Sequence, residues 1–133
     1  MSLTYLLDTN TCIYIMNRRP PDVAEKFAQY APDAIGISSM TLAELRYGVS
    51  KSGSARNMAV LEAFIAPLEI LPFDAAATRP YAEIRAALEK QGTPIGAMDL
   101  LIAAHALALE ATLVTHNTRE VARIAGLKLE NWF

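Results

Sequence analysis

At 133 residues the chain is expected to form one domain, residues 1–133, large enough to bury roughly two thirds of its unfolded surface. A composition of 53% hydrophobic and 20% charged residues excludes disorder, and no run of about 18 uncharged apolar residues marks a membrane span. The formal charge of −2 argues against a general nucleic-acid binder, but setting aside Asp8, Glu44, Asp99 and Glu120 leaves 10 of the 14 acidic side chains against 12 basic ones, so a phosphate substrate stays open.

The N-terminus lacks the basic segment and long apolar core of a secretory signal, so a cytoplasmic location with no membrane partner is expected. Met1-Ser2-Leu3 is compatible with a cloning remnant. The single Cys12 has no partner for an internal disulfide and reads, among Ile13, Tyr14 and Ile15, as a small core residue.

Residues 3 to 7 predict a strand that ends at Asp8, and residues 10 to 18 a helix stopped by Arg18-Arg19-Pro20-Pro21. A helix over about 21 to 30 precedes a short strand, Ala34 to Ile37, after which Ser38-Ser39 opens a helix with Leu42, Leu45 and Val49 at helical spacing. Ser50 to Gly53 is a turn, 54 to 66 a helix, and Leu68 to Leu71 a third strand. A long helix from Asp74 to about Gln91 is followed by the loop Gly92-Thr93-Pro94-Ile95-Gly96. Met98 to Glu110 is helical and apolar nearly all round, so it is either central to the fold or covered by a second copy of the chain; this suggests a homodimer. Thr112 to Thr115 is a fourth strand, Thr118 to Ile124 a short helix, and Lys128-Leu129 an edge strand. Short apolar strands alternating with helices define an α/β fold, a central parallel sheet with helices on both faces.

Each acid has a structural explanation when taken singly. Asp8 suits a helix cap, Thr41-Leu42-Ala43-Glu44 reads as a capping box if its helix starts late, Asp99 suits a cap or first turn, and Asn117-x-x-Glu120 repeats the capping pattern. Taken together they mean more. Asp8, Asn117 and Glu120 all follow strand ends, which a parallel sheet gathers along one rim. Hard cations such as Mg²⁺ and Mn²⁺ prefer carboxylate oxygens, and converged carboxylates without a cation repel one another, so convergence implies a bound metal or raised pKa values.

Four separated motifs then stand in order: Leu7-Asp8-Thr9-Asn10; Thr41-Leu42-Ala43-Glu44-Leu45-Arg46-Tyr47-Gly48; Gly92-Thr93-Pro94-Ile95-Gly96 with Asp99; and Thr115-His116-Asn117-Thr118-Arg119-Glu120. With the closing Leu127-Lys128-Leu129-Glu130-Asn131-Trp132, the chain resembles the VapC toxins, PIN-domain ribonucleases of bacterial type II toxin–antitoxin modules. Val121, where similar members often carry phenylalanine, is a departure that bears on packing. The resemblance implies a PIN fold with Asp8 and Asp99 as principal Mg²⁺ or Mn²⁺ ligands, Glu44 as third acid and Glu120 as a more variable fourth. It also implies that Thr9, Thr115 and Asn117 orient carboxylates or water. The implied reaction is hydrolysis of an RNA phosphodiester by water activated at the metal, leaving 5′-phosphate and 3′-hydroxyl ends. The implied substrate is structured RNA, with initiator tRNA cut in its anticodon stem-loop as the first candidate. The implied partner is a VapB antitoxin whose C-terminal segment fills the catalytic groove with a basic side chain among the acids.

Arg46, Tyr47, His116, Arg119 and Arg123 lie near these motifs as candidate RNA contacts, with a solvated face the alternative for each arginine. A metal-free ribonuclease would need a histidine pair, which His105 inside its apolar helix and His116 do not form. A haloacid-dehalogenase-like phosphatase would need an acid where Asn10 stands, and a silent binding module would have no use for clustered carboxylates.

Overall fold

The computed structural model describes residues 3–133; Met1 and Ser2, and with them most of the suspected cloning remnant, lie outside the described residues. Five strands, β1 (Tyr5–Leu7), β2 (Ile35–Ser38), β3 (Glu69–Leu71), β4 (Thr112–Val114) and β5 (Leu129–Glu130), form one parallel sheet in the order β3-β2-β1-β4-β5. Between them run α1 (Thr9–Asn17), α2 (Pro21–Ala28), α3 (Ser39–Ser52), α4 (Ala55–Ile65), α5 (Ala75–Lys90), α6 (Ala97–Leu109) and α7 (Thr118–Val121). Every strand and helix expected from the sequence is present, displaced by a residue or two at its ends, with two exceptions. Helix α3 continues through the expected Ser50–Gly53 turn to Ser52 and stops only at the left-handed Gly53, and the last helix stops at Val121 and leaves Ile124 in a bend.

The period of two along a strand sorts its side chains between two cores. Leu7, Ile35, Ile37 and Val114 pack with Cys12, Ile15, Val23, Leu45 and Leu61 of α1 to α4 on one face. Leu6 and Leu113 pack with Leu88, Leu100, Ile102, Ala103 and Ala106 of α5 and α6 on the other. The two-faced, parallel arrangement expected from the sequence is therefore what the chain adopts. Burial pushes the Cys12 thiol pKa up, with the charge of Asp8 adding to it, which keeps the thiol protonated and inert.

Helix α6 spends its apolar surface inside the chain, with Leu100, Ile102, Ala103, Ala104, His105 and Ala106 all buried. Its hydrophobicity is thus explained by its central place and does not need a second copy. His105 also packs here, its Nδ1 2.8 Å from Ser38 Oγ and its ring edge-on to Phe73. Burial lowers its pKa, so the neutral ring ties α6 to the end of β2. Among the described residues no helix is long and apolar enough to cross a membrane.

Gly36 in β2 sits where no side chain fits: a Cβ there would lie 2.9 Å from the Glu69 carbonyl oxygen of β3 and under 3 Å from Leu71 and Leu3 side chains. Because the backbone of a paired strand cannot yield, Gly36→Ala is expected to destabilise the protein by about 1–3 kcal/mol, measured by urea unfolding.

Candidate active site

β1 lies between β2 and β4, and the chain turns to opposite sides of the sheet from it, so the crevice between the ends of β1 and β4 is a topological switch point. Asp8 stands there. Its backbone N–H donates to the Val114 carbonyl (3.1 Å), and its side chain caps α1 by accepting from Thr11 N–H (2.8 Å). The Thr11 hydroxyl also donates to Val114 O (3.3 Å), which pins α1 to β4. Asp8 is buried, yet one capping bond occupies only part of a carboxylate's four lone-pair sites.

Glu44 arrives from α3. That helix begins at Ser39 under the cap of Ser38, whose Oγ accepts from Met40 N–H (3.0 Å), so Thr41 lies within the first turn and the expected Thr41–Glu44 capping box does not form. Glu44 instead accepts a hydrogen bond from the Thr9 hydroxyl across the α1–α3 contact. Asp99 sits in the first turn of α6, where the helix dipole favours an acid, and Gly96 occupies the cap position.

Asn117 is the pivot of the opposite wall. It stands at the start of α7 but makes no side-chain capping bond, contrary to the capping expectation. Its amide Nδ2 donates to both Asp99 Oδ2 and Glu120 Oε2, each at 3.1 Å, while its backbone N–H is held by Thr115 Oγ1 (3.0 Å). Thr9 thus touches Glu44 and Asn117 touches Asp99 and Glu120, while Thr115 reaches them only through Asn117. Desolvation raises the Asp99 pKa first; the Asn117 bond works against it, and the charges of Asp8, Glu120 and Glu44 each push it further up. All four carboxylates share one electrostatic field.

Among the described residues no three acids are drawn tightly enough to form a finished coordination shell. The donor set nevertheless suits a hard divalent cation, since it is all oxygen, partly desolvated and already penalised for its own charge. Such ions keep several waters and need only one or two carboxylates directly.

The candidate substrate contacts divide. Arg46 is paired with Glu62 (2.6 Å) across α3 and α4, an exposed ion pair of little energetic weight. His116 is exposed on the rim beside Phe133, Arg119 and Tyr47 are exposed, and Arg123 donates to the Pro94 carbonyl (3.4 Å). Asn10 is exposed on α1 and supplies no second acid. Sequence reasoning missed an apolar groove of about 230 Å³ beside Glu44, lined by Ile13, Met16, Val49, Val60 and Leu61. Its only signal in the sequence was apolar residues on the outer faces of α1 and α4, as at Ile13 and Val60.

The PIN domain family matches residues 5–127 of the chain. Ribonuclease VapC2 of Rickettsia felis is 48% identical over 132 residues, and the tRNA(fMet)-specific endonuclease VapC of Shigella flexneri is 44% identical over 131, each match covering 98% of both chains. The crystal structure of VapBC2 from Rickettsia felis bound to a promoter DNA fragment contains a chain that superposes with a TM-score of 0.89 at 46% identity, covering 98% of this chain and all of that one. The chain belongs to the PIN domain family, among its VapC ribonucleases.

The raised pKa carries a sign. Below the ordinary carboxylate range Asp99 is protonated in both the folded and the unfolded chain; as pH rises toward the raised folded value the fold increasingly bears the charged form's cost, and bears it fully above that value. In chelator at pH 7, Asp99→Asn is therefore expected to melt above the wild type, the gap closing on acidification. Added Mg²⁺ should raise the wild-type Tm and leave that of the variant unmoved. Thermal scans showing equal responses to Mg²⁺ would remove Asp99 from the cation site.

Proposed function

We propose that the chain, acting as a single PIN domain over residues 1–133, is the toxin of a cytoplasmic VapBC module that hydrolyses RNA at the rim built by Asp8, Glu44, Asp99 and Glu120. The observation that carries the reading is the Asn117 amide donating at once to Asp99 and Glu120, within a field that all four acids share. A helix cap explains Asp8 by itself; it does not explain that convergence.

In this reading Asp8, Asp99 and Glu44 hold Mg²⁺, or Mn²⁺ in its place. The ion supplies positive charge that eases deprotonation of the attacking water and offsets charge on the phosphoryl oxygens. Asn117, itself fixed by Thr115, holds Asp99 and Glu120 in register. Thr9 does the same for Glu44. In this reading Glu120 accepts a hydrogen bond from the attacking water. Water adds to phosphorus, the bond to the 3′ oxygen breaks, that oxygen takes up a proton, and the products carry 5′-phosphate and 3′-hydroxyl ends. Arg119, exposed one residue from Glu120, would in this reading meet a neighbouring phosphate.

A relative named for tRNA(fMet) cleavage, at 44% identity over nearly the whole chain, supports initiator tRNA as substrate; a cut in its anticodon stem-loop and arrest of translation complete the proposal. Structural relatives solved as VapBC complexes support a VapB antitoxin partner. Its C-terminal segment is assigned to the apolar groove that opens at Glu44, with a basic side chain placed among the acids. A homodimer is also proposed; its support passes from α6 to the outer face of α3 and α4, where Tyr47 and Met58 are exposed.

Antitoxin-free protein incubated with bulk tRNA should release a discrete fragment in Mg²⁺ or Mn²⁺ and none in EDTA. Asp8→Asn should abolish the cut, and Asn117→Ala should slow it roughly 10- to 100-fold, as loss of a residue that orients metal ligands does. Cleavage that survives both EDTA and Asp8→Asn sinks the reading.

A further inference from the structure

The rim carries a second surface beside the acids. β4 and β5 run in parallel with Val114 opposite Glu130, and Thr115 N–H donates to the Glu130 carbonyl (3.0 Å), so the chain leaves both strands at the same edge. On β4 that exit is Thr115-His116-Asn117, and on β5 it is Asn131-Trp132-Phe133. Trp132 turns inward, its ring stacked on Tyr30 and its Nε1 donating to Glu130 Oε1 (2.8 Å).

Phe133 turns the other way and is 53% exposed. Its ring lies 4.1 Å from that of His116 and 5.1 Å from that of Tyr14 on α1. Asn131 fastens the group, its Oδ1 accepting from Phe133 N–H (2.9 Å) and its Nδ2 3.4 Å from His116 Nδ1. Three rings from three separate elements thus meet at the surface, and the outermost is anchored through its backbone. Held outward in this way, about half of the Phe133 surface is left unused by the fold.

We propose that Phe133, its ring tilted 38° to that of His116 and set edge-on at 60° to that of Tyr14, offers its exposed face as a stacking platform for one unpaired nucleobase of the RNA, beside the phosphate presented to the acids. The inference rests on the ribonuclease reading of the acid site. His116 is the chain neighbour of Asn117, so the platform begins about 3.8 Å of backbone from the residue that touches Asp99 and Glu120. An unstacked base offers a flat π-face, and proteins that take single-stranded RNA meet it with aromatic rings. The platform selects where the RNA must be unpaired; the acids cut there.

The test uses the stem-loop of the tRNA that the wild-type protein cuts, resynthesised with an abasic nucleotide at each position flanking the cut in turn. One position should raise the wild-type KM roughly tenfold. Phe133→Ala should raise KM on intact RNA to a similar degree, more than it lowers kcat, and should then be indifferent to the abasic nucleotide. Phe133→Trp should restore the wild-type pattern. A separate binding readout places 2-aminopurine at each loop position and uses the Asp8→Asn protein; quenching at one position should vanish when Phe133→Ala is added. Wild-type KM in Phe133→Ala, or an abasic penalty undiminished in it, overturns the platform. Quenching without any cleavage by the wild type would instead overturn the ribonuclease reading and leave the platform standing.

Discussion

Mutual repulsion among four carboxylates at one edge of a parallel sheet is the constraint on which the rest of the site depends. Each acid is held by something it cannot easily leave. Asp8 is fixed between β1 and the α1 cap, and Asp99 rides on a helix whose following turns are buried in the core. Glu44 is held by Thr9, and Glu120 by Asn117, which Thr115 fixes in turn. Asp8 and Asp99 are thus tied to the sheet and the core, while Glu44 and Glu120 are each held by one part-buried side-chain hydrogen bond. Desolvation first, and then the charges of Asp8, Glu120 and Glu44, raise the pKa of Asp99.

An electrostatic field of this kind has few solutions, and they exclude one another. A hard divalent cation satisfies it and confers hydrolytic chemistry on bound phosphate. A single guanidinium or ammonium group satisfies it as well and confers none. In the proposed reading, a partner segment seated over Ile13, Met16 and Val60 in the apolar groove beside Glu44 would carry such a group toward the acids, and catalysis and its inhibition would draw on the same charge density.

Much of this was legible in the sequence because parallel sheets make strand ends and active sites coincide. Leu3 to Leu7 ending at Asp8, and Thr112 to Thr115 followed by Asn117 and Glu120, place acids at the rim as soon as the alternation of strands and helices is read. What the sequence left ambiguous was local. Thr41-x-x-Glu44 and Asn117-x-x-Glu120 carry capping spacings, yet α3 starts earlier under Ser38, and Asn117 spends its amide on two acids; only tertiary placement separates a cap from a clamp. The apolar α6 likewise left a central place and a second chain both open until the core it shares with α5 was seen to enclose it. The Tyr14–His116–Phe133 cluster joins residues far apart in sequence through the β4–β5 register, and no local pattern announces it.

The central claim is that these acids constitute one divalent-cation site. Anomalous scattering from a crystal soaked in Mn²⁺ tests it most directly, because the ion reports its own position. The account predicts a peak between Asp8 and Asp99 with Glu44 on its flank. A peak elsewhere on the protein, with none at the rim, would contradict it.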